Sequence, residues 1–205
     1  MLFKDTYNSI KESKKGLYKE RGSKFINFAT PVFSEEEVKT KLKKTKEMYP
    51  DASHHCYAFV LHPDKSHQNF SDDGEPSNTA GRPILRQILV LDLTNTLVIS
   101  VRYFGGKKLG VPGLIEAYGN SAKEVLALCQ IEEKFLEDYY TLTSSFENQN
   151  HVFTSLNKYE SRIIEQNYTN TECILSCAVR RKDSPTFEQE VKNNRFLEME
   201  FIETK

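Results

Sequence analysis

Apolar positions follow two rhythms along this chain, and the switches between them mark its elements. From Leu17 to Val32, Phe25, Ile26, Phe28 and Ala29 lie between polar residues and stop at Thr30-Pro31. That spacing predicts strands, with Arg21-Gly22-Ser23 as a turn or bulge. Ser34 followed three residues later by Glu37 is a capping box, and Glu35 and Glu36 suit the positive end of a helix. The helix should run to about Met48, burying Val38 and Leu42, with lysines outside and Pro50-Asp51 as its stop. Cys56 to Leu61 reads as a buried strand. Residues 1–15 are polar and Lys-rich and read as a first helix or a loose arm.

His62 to Arg82 shows no apolar period, so a long loop is expected there; loops of that length are functional or disordered. Pro83 suits a first helical turn, followed by Ile84, Leu85, Ile88, Leu89 and Leu91 at helical spacing. Thr94-Asn95 is a turn and Leu97 to Val101 a strand. A helix from Pro112 or Gly113 to Leu128 should turn Leu114, Ala117, Ala122, Val125 and Leu126 inward. The last third reads strand (139–146), helix (150–159), strand (163–168), strand (173–179), helix (186–193), strand (196–202). This β-α-β-β-α-β order is that of a ferredoxin-like unit. The charged run Glu132-Glu133-Lys134 is the expected join, which gives domains of 1–133 and 134–205.

Composition narrows the class. With 205 residues and 38% hydrophobic content, the chain can bury a core. It contains no run of 18 apolar residues, which excludes a membrane-spanning helix. Met1-Leu2-Phe3-Lys4-Asp5 has no apolar signal core, and the four cysteines are too few for a disulfide scaffold, so a cytoplasmic protein is expected. Residues 1–130 hold 19 Lys and Arg against 15 Asp and Glu, whereas residues 131–205 hold 9 against 14. A mildly basic first part is compatible with phosphate contact, and equally with an ordinary solvated surface.

Three segments carry candidate chemistry. Gly105-Gly106-Lys107-Lys108-Leu109-Gly110 joins a strand to a helix. Its glycines permit close backbone approach, its lysines add charge, and the helix start offers free amides, a set suited to phosphate or merely to the turn. Val111-Pro112 stands where a Walker A loop needs Lys-Ser/Thr. The acidic run Asp72-Asp73-Gly74-Glu75-Pro76 could bind a hard cation, close turns, or tether Arg82, Arg86 or Arg102; it lacks EF-hand spacing, and no metal or cofactor is assigned. On a strand, His54 and Cys56 share a face, so the two could meet with Asp72 or Asp73 as orienter. The alternative is a core cysteine beside loop-bonded histidines. Cys173 and Cys177 share a strand face with no second ligand pair, which argues against zinc.

Four runs resemble the YigZ/IMPACT N-terminal family: Arg21-Gly22-Ser23-Lys24-Phe25, Ala52 to Ala58, Ser71 to Leu85, and Val101 to Gly110. The likeness spans about residues 15–128. Two departures stand out. Val111-Pro112-Gly113-Leu114-Ile115-Glu116 replaces Thr-Gly-Gly-Leu-Val-Arg, which puts an acid at the mouth of the expected site, and Asn78 stands where Gly is common. The resemblance implies an α+β protein of two domains. The first would be ribosomal protein S-five domain-two-like; the second would be ferredoxin-like, similar to a domain of elongation factor G and to the C-terminal domain of bacterial YigZ proteins. It also implies a role near translation, since IMPACT modulates translation through contact with an activator of an initiation-factor kinase. Fold likeness alone does not fix function.

The reading that follows is a non-enzymatic binding module with the ribosome, RNA or a translation-associated protein as partner. Arg21, Arg82, Arg102, Lys107 and Lys108 would contact phosphate, Gly105, Gly106 and Gly110 would admit it, and Tyr57, Tyr103 and Phe104 would stack. Asp72, Asp73, Gly74, Glu75 and Pro76 would structure the loop. The alternatives are a hydrolase of a phosphorylated or peptide-like small molecule using His54, Cys56, Asp72 and Asp73, and a protein–protein interaction module.

Overall fold

A computed structural model describes residues 5–204. The chain divides into two units, residues 7–134 and residues 5–6 with 135–204. The first described residues thus fold with the second unit, where the sequence placed 1–133 in the first. Both units mix helix and sheet, so the α+β class and the two-unit organisation hold.

In the first unit, β2 (Lys14–Glu20), β3 (Ser23–Pro31), β6 (Thr96–Tyr103), β4 (His54–Leu61) and β5 (His67–Ser71) form one antiparallel sheet in the order β2-β3-β6-β4-β5. Period-two alternation sorts the strands onto two faces. Phe25, Cys56, Ala58, Val60 and Val98 pack under α2 (Gly81–Val90) and α3 (Gly110–Ala127). Phe59, Leu61, Leu97, Ile99 and Val101 share the opposite face with Val38 of α1 (Glu35–Met48). Ser34 caps α1 by accepting from the Glu37 amide at 3.2 Å, and Glu37 reaches back to the Phe33 amide at 2.9 Å.

Three expectations give way. Residues 6–10 form β1, which pairs with β7 (Ile131–Phe135), in place of a helix or a loose arm, and β2 begins at Lys14, ahead of the strand expected from Leu17. Polar spacing hid β1 because its buried positions include the polar Ser9 as well as Ile10. β5 interrupts the expected 62–82 loop: it is an edge strand, pairing only with β4, and needs no apolar alternation. Helix α3 starts at Gly110, ahead of Pro112.

In the second unit, β8 (Glu137–Ser145), β9 (Ser161–Tyr168), β10 (Glu172–Arg180) and β11 (Glu198–Thr204) form an antiparallel sheet in the order β11-β8-β10-β9. Helices α4 (Asn150–Leu156) and α5 (Ser184–Asn193) intervene as the β-α-β-β-α-β pattern requires. Tyr140, Leu142, Val152, Leu175, Cys177, Phe187 and Val191 make its core. Among the described residues no helix is long and apolar enough to cross a membrane.

Candidate functional site

The four sequence runs converge at one end of the five-stranded sheet, around a buried polar network. Its hub is Glu75. Asp73 (φ 42) and Gly74 (φ 90) both take positive φ, and the Glu75 amide donates to the Asp72 carbonyl at 2.9 Å, so Asp72–Glu75 is a tight turn of the primed type. The turn aims the Glu75 side chain inward, where it is 4% exposed. Its Oε1 accepts from Arg102 Nη1 at 2.5 Å and from the Tyr118 hydroxyl at 2.8 Å, with His54 Nε2 at 3.8 Å. Arg102 is 5% exposed; its Nη2 donates to Ser23 Oγ at 3.3 Å, and its guanidinium lies 5.6 Å and 5.8 Å from the rings of Phe25 and Phe104. Two charges that would be costly alone are thus paired and hydrogen-bonded.

The acidic run spends its oxygens on the backbone. Asp72 accepts from the amides of Asn78, Ala80 and Gly81 at 2.8, 2.9 and 2.8 Å, which closes the loop and satisfies the start of α2. Asp73 turns to the other side, taking the His55 amide at 2.6 Å and Lys46 Nζ at 3.2 Å. The three carboxylates face different partners, and no group of three metal-binding side chains occurs among the described residues. Asn78 takes φ 62, a conformation Asn tolerates, which is how it serves where the family often has Gly.

His54, Cys56 and the acidic run do come together, but not as a catalytic set. His54 Nδ1 meets the Asp73 backbone carbonyl at 2.9 Å rather than a carboxylate. Cys56 is fully buried, with Sγ 3.0 Å from the Asp72 carbonyl and 3.3 Å from the Tyr118 hydroxyl. Burial pushes its thiol well above the ordinary value, and nearby Glu75 adds to the rise. A nucleophile needs a thiolate and access, and Cys56 has neither. Cys56 is thus placed as a core thiol, while Asp72 and Asp73 serve backbone amides. Burial likewise pushes the Tyr118 hydroxyl up, so it stays a donor.

The glycine loop divides by role. A Cβ on Gly105 would lie 1.9 Å from the Gly22 carbonyl carbon, so the Arg21-Gly22 and Gly105 turns touch backbone to backbone. Gly105 is therefore required by packing. Gly106 (φ 83) faces open space and Gly110 (φ 73) is nearly as free. Lys107 and Lys108 are exposed, and Phe104 is 51% exposed. Beside them lies a cavity of about 370 Å³ lined by Arg102, Phe104, Lys108, Val111 and Leu114 among others. Arg21 is exposed in the β2–β3 turn. Tyr103 donates to Asp51 at 2.8 Å, and Tyr57 packs within the α1-side cluster.

Arg82 does not join this loop. With Arg86 it lines a separate groove between α2 and α3, and Glu116 lies there too rather than at the loop mouth. Tyr118 and Ser23 are the network members that sequence reasoning missed. The available signal was a lone tyrosine one turn beyond Leu114 on the inward face of α3, whose hydroxyl must find a buried partner.

A five-stranded sheet closed by a buried ion-pair network, followed by a small split β-α-β unit, defines a two-unit α+β protein. The Impact N-terminal domain family matches residues 21–126, and the chain belongs to the IMPACT family. It is 34% identical over 148 residues to the IMPACT family member YigZ of Escherichia coli (strain K12), covering 71% of this chain and 72% of that protein. It is 32% identical over 194 residues to the IMPACT family member YvyE of Bacillus subtilis (strain 168), covering 94% and 84%. A crystal structure described as that of a hypothetical protein matches with TM-score 0.73 and 28% identity over 98% of this chain and 99% of that one.

Proposed function

We propose that this chain is a non-enzymatic binding protein acting on translation, and that the Phe104–Gly110 loop contacts RNA phosphate on the ribosome or on a ribosome-bound RNA. One observation carries the reading. The acidic run, His54, Cys56 and Arg102 are spent on internal partners, whereas Lys107, Lys108 and the open backbone at Gly106 and Gly110 remain at the surface. The uncapped start of α3 adds amides and a partial positive end. Exposed Phe104 supplies a face for a base to stack on. The link to translation comes from the family resemblance.

The test is co-sedimentation with ribosomes and with RNA across a salt series, for wild type beside Lys107→Ala/Lys108→Ala. Expected is binding that falls steeply with salt, and a variant that binds less with a slope shallower by roughly one to two phosphate contacts. Binding that is indifferent to salt would replace RNA with a protein partner. No binding at low salt overturns the proposal.

A further inference from the structure

A second cavity of the first unit lies away from the glycine loop. It is a groove of about 720 Å³ between the outer faces of α2 and α3. On α2, Arg82 and Arg86 stand one turn apart, as do Leu85 and Leu89, so a basic row runs beside an aliphatic one. Both arginines are exposed, and among the described residues neither has an ion-pair or hydrogen-bond partner. Leu89 is 39% and Ile115 44% exposed, so each helix contributes an apolar side chain to the groove.

Gly119 is the second observation. It sits in the middle of α3, where glycine costs about 1 kcal/mol against alanine. Its backbone needs no positive φ, and an added Cβ would meet only Gln87 Nε2 at 3.8 Å, an ordinary contact. Neither strain nor crowding inside the protein calls for glycine. The missing side chain instead deepens the groove wall opposite the arginines.

We propose that the α2–α3 groove is a docking site for an acidic amphipathic helix of a partner protein. Charge complementarity selects the occupant: carboxylates one turn apart meet Arg82 and Arg86, while an apolar stripe covers Leu85, Leu89 and Ile115. RNA fits less well. The floor is aliphatic, with no ring for a base to stack on. The helix seats against Gly119, where backbone can approach backbone closely.

The experiment selects peptides of about 16 residues, long enough for four helical turns, from a displayed random library on the full chain. Enrichment of sequences with Asp or Glu one turn apart beside Leu, Ile or Phe is expected. Binding of an enriched peptide should fall about tenfold or more with Arg82→Glu/Arg86→Glu and return when its acids are changed to lysine. Gly119→Leu should abolish binding without lowering thermal stability. If Gly119→Leu does not fold, the charge reversal and its rescue decide, since both arginines are exposed. No acidic enrichment, or enrichment indifferent to these variants, overturns the proposal. So does loss of single-stranded RNA binding in Arg82→Glu/Arg86→Glu with no peptide selected, which assigns the groove to RNA.

Discussion

The two units bury their deepest ion pairs to different extents. The first unit places an ion pair inside, with Glu75 and Arg102 at 4% and 6% side-chain exposure, and builds a loop around it. The second keeps an apolar core, and its pairs retain more contact with solvent: Arg180 and Asp5 are 16% and 14% exposed, Arg181 and Asp138 36% and 8%. Arg162 forks onto Glu137 at 2.7–3.1 Å and Lys158 reaches Glu190 at 2.8 Å, on side chains 27–54% exposed. Even its buried cysteine, Cys177, is pushed up to about 12 by desolvation alone. An interior pair fixes the shape of the segment that bears it, because any other shape strands a charge. A surface pair fixes little.

Substitutions can break this contrast, and their expected effects fall in order. Arg102→Met leaves the Glu75 carboxylate buried without its cation and should destabilise the first unit by about 3–5 kcal/mol. Replacing both, as Arg102→Met/Glu75→Gln, should recover part of that loss; urea unfolding of single and double variants measures it, and equal losses would deny the coupling. Gly105→Ala forces two backbones apart and should cost about 3 kcal/mol, the upper end of the usual overpacking range, read as a lowered melting temperature. Asp72→Ala removes the acceptor of three amides and should cost about 2 kcal/mol, with faster hydrogen exchange at Asn78, Ala80 and Gly81.

The second unit should respond more gently. Arg180 holds the Asp5 carboxyl below its ordinary 3.8, through hydrogen bonds first and charge second. Because the folded value is the lower one, this stabilisation of about 1 kcal/mol is complete above pH 4 and lost as pH falls through the folded value. Asp5→Asn should lose about that amount near neutrality and nothing below the folded value, which flattens the acid limb. Glu137→Gln should cost under about 1 kcal/mol, less still in high salt. A loss as large as that of Arg102→Met would erase the contrast between the units.

Much of this was legible in the sequence. The capping box at Ser34 and Glu37, the Arg21-Gly22 turn and the β-α-β-β-α-β order all rest on local rules, and local rules govern them in the fold. β1, β5 and β7 were hidden because solvated or edge strands need no alternation. The site was legible as a cluster of motifs but not as a network. That Asp72 serves amides, that Asp73 faces the other way, and that Tyr118 completes the Glu75 hub depend on turns whose direction no spacing reports. Arg82 shows the limit best. It lies within a motif run, yet it sits on a groove with Arg86 instead of beside Lys107.

The bond between Asp5 and Arg180 spans 175 residues of chain. During synthesis, the segment that supplies Asp5 leaves the ribosome well before the one that supplies Arg180. Residues 7–134 can fold as soon as they emerge, whereas residues 5–6 must wait for the remaining stretch, roughly ten seconds at ordinary elongation rates. A fragment cut at the apparent boundary near residue 134 would therefore carry away a piece of the unit it was meant to exclude. The second unit expressed from residue 135 would lack the Asp5 side of its bond to Arg180.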